Sequence, residues 1–361
     1  MLPGHCHERR SSRQARLKKK GRAYMRKVFA AIASVVIGIA LFVAVVGSAG
    51  LHNILGSFKD FSVIYLALFL FVSFLIACTV TYRWWVILKS EGFHVPFIKL
   101  ALYRTMGYAV SYVTPSAHLG GEPVMAYMLH KKHDIPTSRA FSSVLIAKSL
   151  EIAADILFGC IGVFLILLRF ALPKQMILFV ISGLALAIIM LGLFFTRLIK
   201  GQGFFSTVMK IVPYPLRSTY FKLLIRRVRE TELCITSFLR NRAECVLFAV
   251  SISAVLWALM GLEYMLALRL VGFDPTLRTI FMAGGFVAIS YLVPVPAAIG
   301  VLEAGQYSIF KVIGASPHTG VALGLLIRAR DLLWTLLGFI LISHYGIKSI
   351  RGILENGKQE S

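Results

Sequence analysis

Charged residues are scarce in this sequence, and acidic ones are scarcer still. Of its 361 residues 15% are charged and 58% are hydrophobic, whereas an average soluble domain has about 25% charged residues. The composition therefore excludes an ordinary soluble protein and predicts a multi-pass membrane protein. The 39 lysines and arginines far outnumber the 16 aspartates and glutamates. Because these cations lie in a few segments between apolar runs, we expect them to face anionic lipid at the cytoplasmic surface, and we expect no nucleic-acid partner.

Motifs of common catalytic and metal sites are also missing. The five cysteines have neither CxxC spacing nor a histidine cluster beside them, so we expect no disulfide and no metal site. The sequence contains no Walker A loop, HExxH helix, GxSxG elbow or nucleotide-binding glycine pattern. Since these motifs are how many enzymes hold phosphates, metals or nucleophiles, we expect no enzyme activity and no cofactor.

Long apolar runs, in contrast, are abundant, and each can cross a hydrocarbon core of about 30 Å. Six transmembrane helices are predicted at about 28–50, 61–88, 140–168, 175–195, 245–268 and 321–345. A basic tail, 1–27, precedes them and a polar tail, 346–361, follows them. Residues 196–244 form a basic amphipathic connector, which is either an ordinary cytoplasmic loop lying on the membrane surface or a lipid-headgroup sensor.

Two further apolar segments, 96–129 and 279–313, are interrupted in the middle. The residues that interrupt them are Pro115, Gly120 and Gly121 in the first and Pro294, Pro296 and Gly300 in the second. Irregular backbone at membrane depth is tolerated only where protein or a wet cavity satisfies its polar groups. We therefore expect two re-entrant helical hairpins. This arrangement places the connector and both termini in the cytoplasm, as the excess of cations there requires.

The sequence contains an internal repeat with an offset of about 180 residues. Three motifs recur in register, KxxGF at 89–93 and RxxGF at 269–273, YxxP at 112–115 and 291–294, and a cation-x-x-acid pair at 148–151 and 328–331. We name the two copies repeat A (61–169) and repeat B (245–345). Three predicted crossings separate their first helices, and this odd number makes the repeat inverted. Inverted repeats with discontinuous helices are typical of membrane transporters.

The cation-x-x-acid pairs place charged groups inside apolar helices. Lys148 with Glu151, and Arg328 with Asp331, are spaced i, i+3 and so share one helix face. An ionised group costs about 2.5 to 3.5 kcal/mol at the centre of a membrane helix, so these faces should turn inward. We predict that Lys148, Arg328 and Arg104 bind a lipid headgroup while Glu151 and Asp331 tune the cations. The alternative is that both pairs are structural salt bridges.

Two more carboxylates follow the helix breaks. Glu122 lies in a GGEP motif and Glu303 in GVLEAG, each at the start of a hairpin's second arm. They either stabilise that helix N-terminus through its dipole or gate and couple transport by protonation. The sequence leaves both interpretations open.

Several of these stretches resemble a known family. They are HLGGEPVMAYMLHKKHDIP, SVLIAKSLEIAADI, PVPAAIGVLEAGQYSIFKVIGASP and ALGLLIRARDLL. Together they are similar to the transmembrane family of the lysylphosphatidylglycerol synthases, also called flippase-like proteins, over about residues 28–345. The resemblance implies a bacterial or archaeal cytoplasmic-membrane protein that binds or flips a lipid with an anionic or polyprenyl-linked head. Ala297 and Ala298 stand where the family often has glycines, which is expected to stiffen that turn.

The resemblance also bears on activity and partners. The aminoacyl-transferase domain of full-length synthases does not follow residue 345 here, so we expect no aminoacylation by this chain alone. We predict a non-ATP-driven flippase or transporter of an anionic or polyprenyl-linked lipid, whose partners are phospholipid or lipid-linked glycan. One alternative is a lipid-binding accessory subunit of a separate glycosyltransferase or phospholipid synthase. Another is a secondary transporter of a small soluble anion.

Overall fold

The computed structural model describes residues 35–59, 61–114, 120–169, 174–202, 207, 219–291, 293 and 295–359. All the regular elements in these residues are helical, which confirms the prediction of an all-α protein. The basic tail and the two prolines Pro115 and Pro294 lie outside the described residues. The helices in chain order are α1 (Val35–Ala49), α2 (Leu51–Gly56), α3 (Val63–Ser90), α4 (Phe97–Val113), α5 (Glu122–His133), α6 (Thr137–Arg169), α7 (Lys174–Ile199), α8 (Thr219–Asn241), α9 (Ala243–Leu270), α10 (Leu277–Ser290), α11 (Val301–Val312) and α12 (Pro317–Gln359).

Two of the described helices, α3 and α9, are long and apolar enough to cross a membrane. Shorter apolar helices occupy α1 and parts of α7 and α10, and the other predicted crossings stay predictions. Many large apolar side chains on the outside of the molecule are exposed, among them Val63 and Leu277 at 73% and 72%. Exposed apolar side chains in such number indicate a surface that contacts lipid or another protein. The last helix, α12, continues into the segment predicted as a polar tail.

The helix pattern of the first half recurs in the second. α3 and α9 begin 180 residues apart (243 − 63), as do α4 and α10 (277 − 97) and α6 and α12 (317 − 137). The contacts recur as well. Helices α3 and α9 pack against each other. The contact of α4 with α12 corresponds to the contact of α10 with α6, and the contact of α2 with α12 corresponds to the contact of α8 with α6.

The recurring KxxGF and RxxGF motifs end α3 and α9 in the same way. Gly92 and Gly272 have φ angles of 87° and 69°, in the left-handed region. The amide of Phe93 donates a hydrogen bond to the carbonyl five residues earlier at 3.1 Å, and that of Phe273 does so at 3.0 Å. This is the Schellman arrangement, which favours glycine because no Cβ obstructs the left-handed residue. The motif therefore recurs because both helices end in the same local structure.

Each interrupted segment consists of two helices in contact, α4 with α5 and α10 with α11. In the first, a Cβ atom on Gly121 would lie 1.8 Å from the carbonyl oxygen of Gly107, so only glycine allows the arms to meet. The amide of Gly121 also donates to Oγ of Ser111 at 2.9 Å. In the second, Ala297 and Ala298 have φ angles of 53° and 47°, which are strained for residues other than glycine. These two alanines thus occupy a turn suited to glycine.

The amphipathic connector contains the long helix α8, which contacts α6, α7 and α9. Its side chains Ile235 and Phe238 are buried in an apolar cluster with Ile87 and Ile146. Arg226, on its other face, is exposed. Over this stretch, then, the apolar face packs on protein and the basic face remains accessible.

Candidate functional site

A cavity of about 210 Å³ lies between the two halves of the molecule, among α3, α4, α6, α9, α10 and α12. Its lining combines apolar side chains with an unusual number of charged ones. The charged residues that line it are Arg83, Arg104, Lys148, Glu151, Asp155, Glu263, Arg330 and Asp331. Isolated charges are expensive within membrane helices and mark functional sites there.

Three cations surround one carboxylate on one side of the cavity. Lys148 donates a hydrogen bond to Oε1 of Glu151 at 2.7 Å. The other carboxylate oxygen, Oε2, faces Nη2 of Arg83 at 3.7 Å and Nη2 of Arg104 at 3.8 Å. Because α3, α4 and α6 each supply a cation, the grouping exists only in the folded protein.

The guanidinium of Arg83 is buried and only partly hydrogen-bonded. Its side chain is 0% exposed. Nη1 donates to Oγ of Ser253 on α9 at 3.1 Å, while Nε and Nη2 have no hydrogen-bond partner within the described part of the chain. A buried donor without a partner costs about 1 to 3 kcal/mol, and more when it is charged. Nε and Nη2 form one edge of the guanidinium group, and such an edge can bind a carboxylate or phosphate group.

The opposite side of the cavity has the reverse composition, with one cation between two carboxylates. Nη1 of Arg330 donates to Oε2 of Glu263. Nη2 of Arg330 donates to Oδ1 of Asp331 at 2.8 Å, and the hydroxyl of Tyr291 donates to Oδ2. The cavity is therefore polar across its width, cationic near Lys148 and acidic near Asp331.

Arg328 lies outside the lining of this cavity, at the break before α11. Its Nε donates to Oε1 of Glu303 at 2.6 Å and its Nη1 to the carbonyl of Ala297 at 3.1 Å. The guanidinium also stands 5.9 Å from the ring centre of Phe42. Glu303 is 0% exposed, and its Oε2 accepts the amide of Gly300 at 2.9 Å. In this conformation Arg328 fastens a turn, and its role as a headgroup ligand stays a prediction.

Glu122 holds the corresponding place at the start of α5. Its Oε2 accepts a hydrogen bond from the amide of Gly120 at 2.7 Å, and Oε1 has no hydrogen-bond partner among the residues described. Both breakpoint carboxylates thus satisfy a backbone amide at a helix N-terminus, where negative charge is favoured. Their coupling to transport by protonation stays a prediction.

The structure brings together four of the predicted site residues, which are Lys148, Arg104, Glu151 and Asp331. Sequence reasoning missed the other four charged residues of the lining, which are Arg83, Asp155, Glu263 and Arg330. For Arg83 and Glu263 the signal was present, because each is a charge inside a long apolar run and the two stand 180 positions apart (263 − 83). No group of three or more histidine, cysteine or acidic side chains suited to a metal ion occurs in the described ranges.

Comparison with known proteins adds a family and several relatives. The family model described as the lysylphosphatidylglycerol synthase TM region matches residues 31–338. A UPF0104 membrane protein of Methanothermobacter thermautotrophicus is 23% identical over 325 residues, covering 88% of this chain and 93% of that protein. A UPF0104 membrane protein of Methanocaldococcus jannaschii is 24% identical, covering 84% and 92% of the two chains. One from Pyrococcus horikoshii is 25% identical, covering 85% and 95%.

Proposed function

This chain is a membrane protein of the lysylphosphatidylglycerol synthase transmembrane-region family, and we propose that it is a non-ATP-driven flippase or transporter of an anionic or polyprenyl-linked membrane lipid. The observation that carries the proposal is the charged cavity between the two halves of the chain. Its cationic side gives an anionic headgroup a polar place to reside, while the acyl or prenyl chains remain in the hydrocarbon.

The cations near Lys148 have a chemistry that suits a phosphate-bearing headgroup. Guanidinium groups bind phosphate through two parallel hydrogen bonds, and an ammonium adds a point charge. Within the cavity, Arg104 and Lys148 are 22% and 16% exposed in their side chains. They are therefore partly shielded from water and still accessible to a ligand. We propose them as the headgroup ligands.

The symmetry of the helix pattern supports movement rather than static binding. We propose that repeats A and B form an inverted pair with six crossings and two re-entrant hairpins, in a cytoplasmic membrane with both termini in the cytoplasm. Two oppositely oriented halves can expose a shared site alternately to either side of the membrane. The cavity contains side chains from both halves, as such a site requires.

The proposal can be tested by reconstituting the full chain in liposomes with fluorescent phosphatidylglycerol. Dithionite destroys the fluorescence of outer-leaflet lipid, so lipid movement appears as additional quenching. We expect the wild type to accelerate movement without ATP and the double variant Lys148→Ala, Arg104→Ala to lose that acceleration. Lys132→Ala removes one exposed cation outside the cavity and should retain it. Circular dichroism establishes that each variant is folded.

Three results would overturn the proposal. A folded double variant with wild-type movement would refute the headgroup site. A wild type that retains lipid in native mass spectrometry but moves none would instead indicate an accessory subunit of a glycosyltransferase or phospholipid synthase. Uptake of inorganic phosphate into the same liposomes without lipid movement would indicate a carrier of a soluble anion.

A further inference from the structure

We propose that Arg83, Arg104 and Lys148 form a binding site for a phosphate group, and that the carboxylate of Glu151 occupies this site until the phosphate displaces it. The inference rests on the proposed function, since it names the group that the cavity recognises. It extends that function in two ways. It adds Arg83 to the proposed ligands Arg104 and Lys148, and it makes Glu151 an internal competitor of the ligand.

Arg83 has one edge of its guanidinium group without a hydrogen-bond partner among the described residues. Its Nη1 is committed to Ser253, and the two nitrogens without a hydrogen-bond partner in the described residues are Nε and Nη2. These two nitrogens lie on the same edge of the guanidinium plane and direct parallel N–H bonds. That edge matches two oxygens of a phosphate or carboxylate group. Ser253 thus orients the guanidinium so that its bidentate edge is left for an anion.

Glu151 lies among the three cations but does not satisfy all of their donors. Only Lys148 is within hydrogen-bond distance of it, at 2.7 Å. The separations of 3.7 and 3.8 Å from the two guanidinium groups exceed a hydrogen bond and indicate electrostatic contact alone. One carboxylate therefore neutralises part of the charge of three cations without satisfying their donors. A phosphate group, with more acceptor oxygens than a carboxylate, can satisfy donors from all three at once.

Glu151 has the most exposed side chain among itself and its three cations. Its side chain is 27% exposed, compared with 3% for Asp331 on the other side of the cavity. Asp331 accepts hydrogen bonds from both Arg330 and Tyr291, whereas Glu151 accepts one from the flexible side chain of Lys148. A carboxylate held in this way can rotate out of the site when another anion enters. The exchange replaces one negative charge with another and leaves the cations neutralised.

The test is a titration of detergent-solubilised full-length protein with phosphatidylglycerol, followed by native mass spectrometry. Because Glu151→Gln removes the competing charge, we expect about tenfold tighter binding, the equivalent of one charge-assisted hydrogen bond. Arg83→Lys, which keeps the charge but loses the bidentate edge, should weaken binding about tenfold. Glu230→Gln removes an exposed surface carboxylate and serves as the matched control, with unchanged affinity.

Unchanged or weaker binding by Glu151→Gln would overturn the inference. If that variant does not fold, Glu151→Asp withdraws the carboxylate by one methylene, and it should bind more tightly than the wild type by a smaller factor. Unchanged binding by Glu151→Asp would overturn the inference equally.

Two further measurements distinguish a lipid phosphate from free phosphate, and the role of Glu151 as a competitor from the transport function. Inorganic phosphate that competes with the lipid at similar concentrations assigns the site to the phosphate group alone, and failure to compete assigns it to the whole headgroup. Lipid movement in liposomes is measured in parallel. Wild-type movement with no tightening in Glu151→Gln refutes only the internal competitor, whereas absence of movement in the wild type refutes the transport function.

Discussion

Replacing Arg328 should destabilise the protein far more than replacing Lys148, although the two cations occupy equivalent positions in the repeats. Arg328→Met leaves the carboxylate of Glu303, which is 0% exposed, without its cation. Breaking a buried ion pair by removing one partner costs about 3 to 5 kcal/mol, because the remaining charge is stranded away from water. Lys148→Met leaves Glu151 partly exposed and still near Arg83 and Arg104. We expect that substitution to cost about 1 kcal/mol.

Equilibrium unfolding in mixed micelles of a mild detergent and dodecyl sulfate measures both costs. The double variant Arg328→Met, Glu303→Gln removes the stranded charge and should recover most of the lost stability, since a paired replacement is much cheaper than a single one. A glutamine at position 303 can still accept the amide of Gly300. Equal costs for Arg328→Met and Lys148→Met, or no recovery in the double variant, would refute the assignment of Arg328 to a structural turn.

Three other predictions concern packing and pH. Gly121→Ala should lower the free energy of unfolding by about 1 to 3 kcal/mol, because the added methyl forces the arms of the first hairpin apart. Gly47→Ala should be tolerated, since its methyl would meet nothing within 4 Å. Equal losses of thermal stability in the two variants would contradict this prediction. Phe238→Ala, in the buried face of α8, should cost about 3 to 5 kcal/mol, while Leu233→Ala, which is 51% exposed, should cost much less in the same unfolding assay. Burial raises the pKa of Glu91, in the loop after α3, above its ordinary value of 4.5. The folded protein thus holds that proton more tightly than the unfolded chain, and stability should fall as pH rises from about 4.5 through the raised pKa. Glu91→Gln should remove this part of the pH dependence, and an unchanged profile would contradict the burial effect.

The helical class and the boundaries of helices such as α9 could be predicted because their causes are local. Apolar length, glycine and proline breaks and cap motifs act within a few residues of one another. The RxxGF motif illustrates this, since Gly272 supplies the left-handed residue and Phe273 the amide that ends α9. Where a cause is local, its repetition 180 residues away predicts the same structure twice.

The partner of α8 could not be predicted for a physical reason. An amphipathic pattern shows that one face avoids water, but lipid and protein interior are both apolar and satisfy that face equally well. The structure places Phe238 against protein. Only the position of α6 and α9, which the sequence pattern of the connector does not contain, distinguishes the two surroundings.

Arg83 was missed because of its position near the end of an apolar run. A long cationic side chain there can extend its charge to the membrane surface at little cost, so its position in the run did not by itself place it in a cavity, and its match with Glu263 at an offset of 180 residues was the signal that pointed to a site. The fold turns Arg83 inward, with Nη1 on Ser253 of α9. This contact joins residues 170 positions apart, and no local pattern predicts it.

The two cation-x-x-acid pairs were predicted to act alike, and the structure separates them. Each cation has two carboxylates as candidate partners, one three residues later on its own helix and one at the start of the preceding hairpin arm. Lys148 pairs with the first of these, Glu151, and so remains in the cavity. Arg328 pairs with the second, Glu303, and so leaves it. The repeated sequence thus determines which carboxylates each cation can reach, but not which of them it pairs with.

These different pairings accompany a difference between the repeats at one neighbouring position. Asp331 is preceded by Arg330, which donates to it from the same helix, and it also accepts the hydroxyl of Tyr291. The position equivalent to Arg330 in repeat A is Leu150 (330 − 180), whose side chain has no hydrogen-bond donor. Glu151 therefore lacks a cation from the adjacent residue and draws its neutralising charge from Lys148 and from two arginines on other helices. In repeat A, Leu150 thus leaves Glu151 to pair with cations that line the cavity. In repeat B, Arg330 pairs with Asp331 from the adjacent position, and Arg328 pairs with Glu303 at the turn instead.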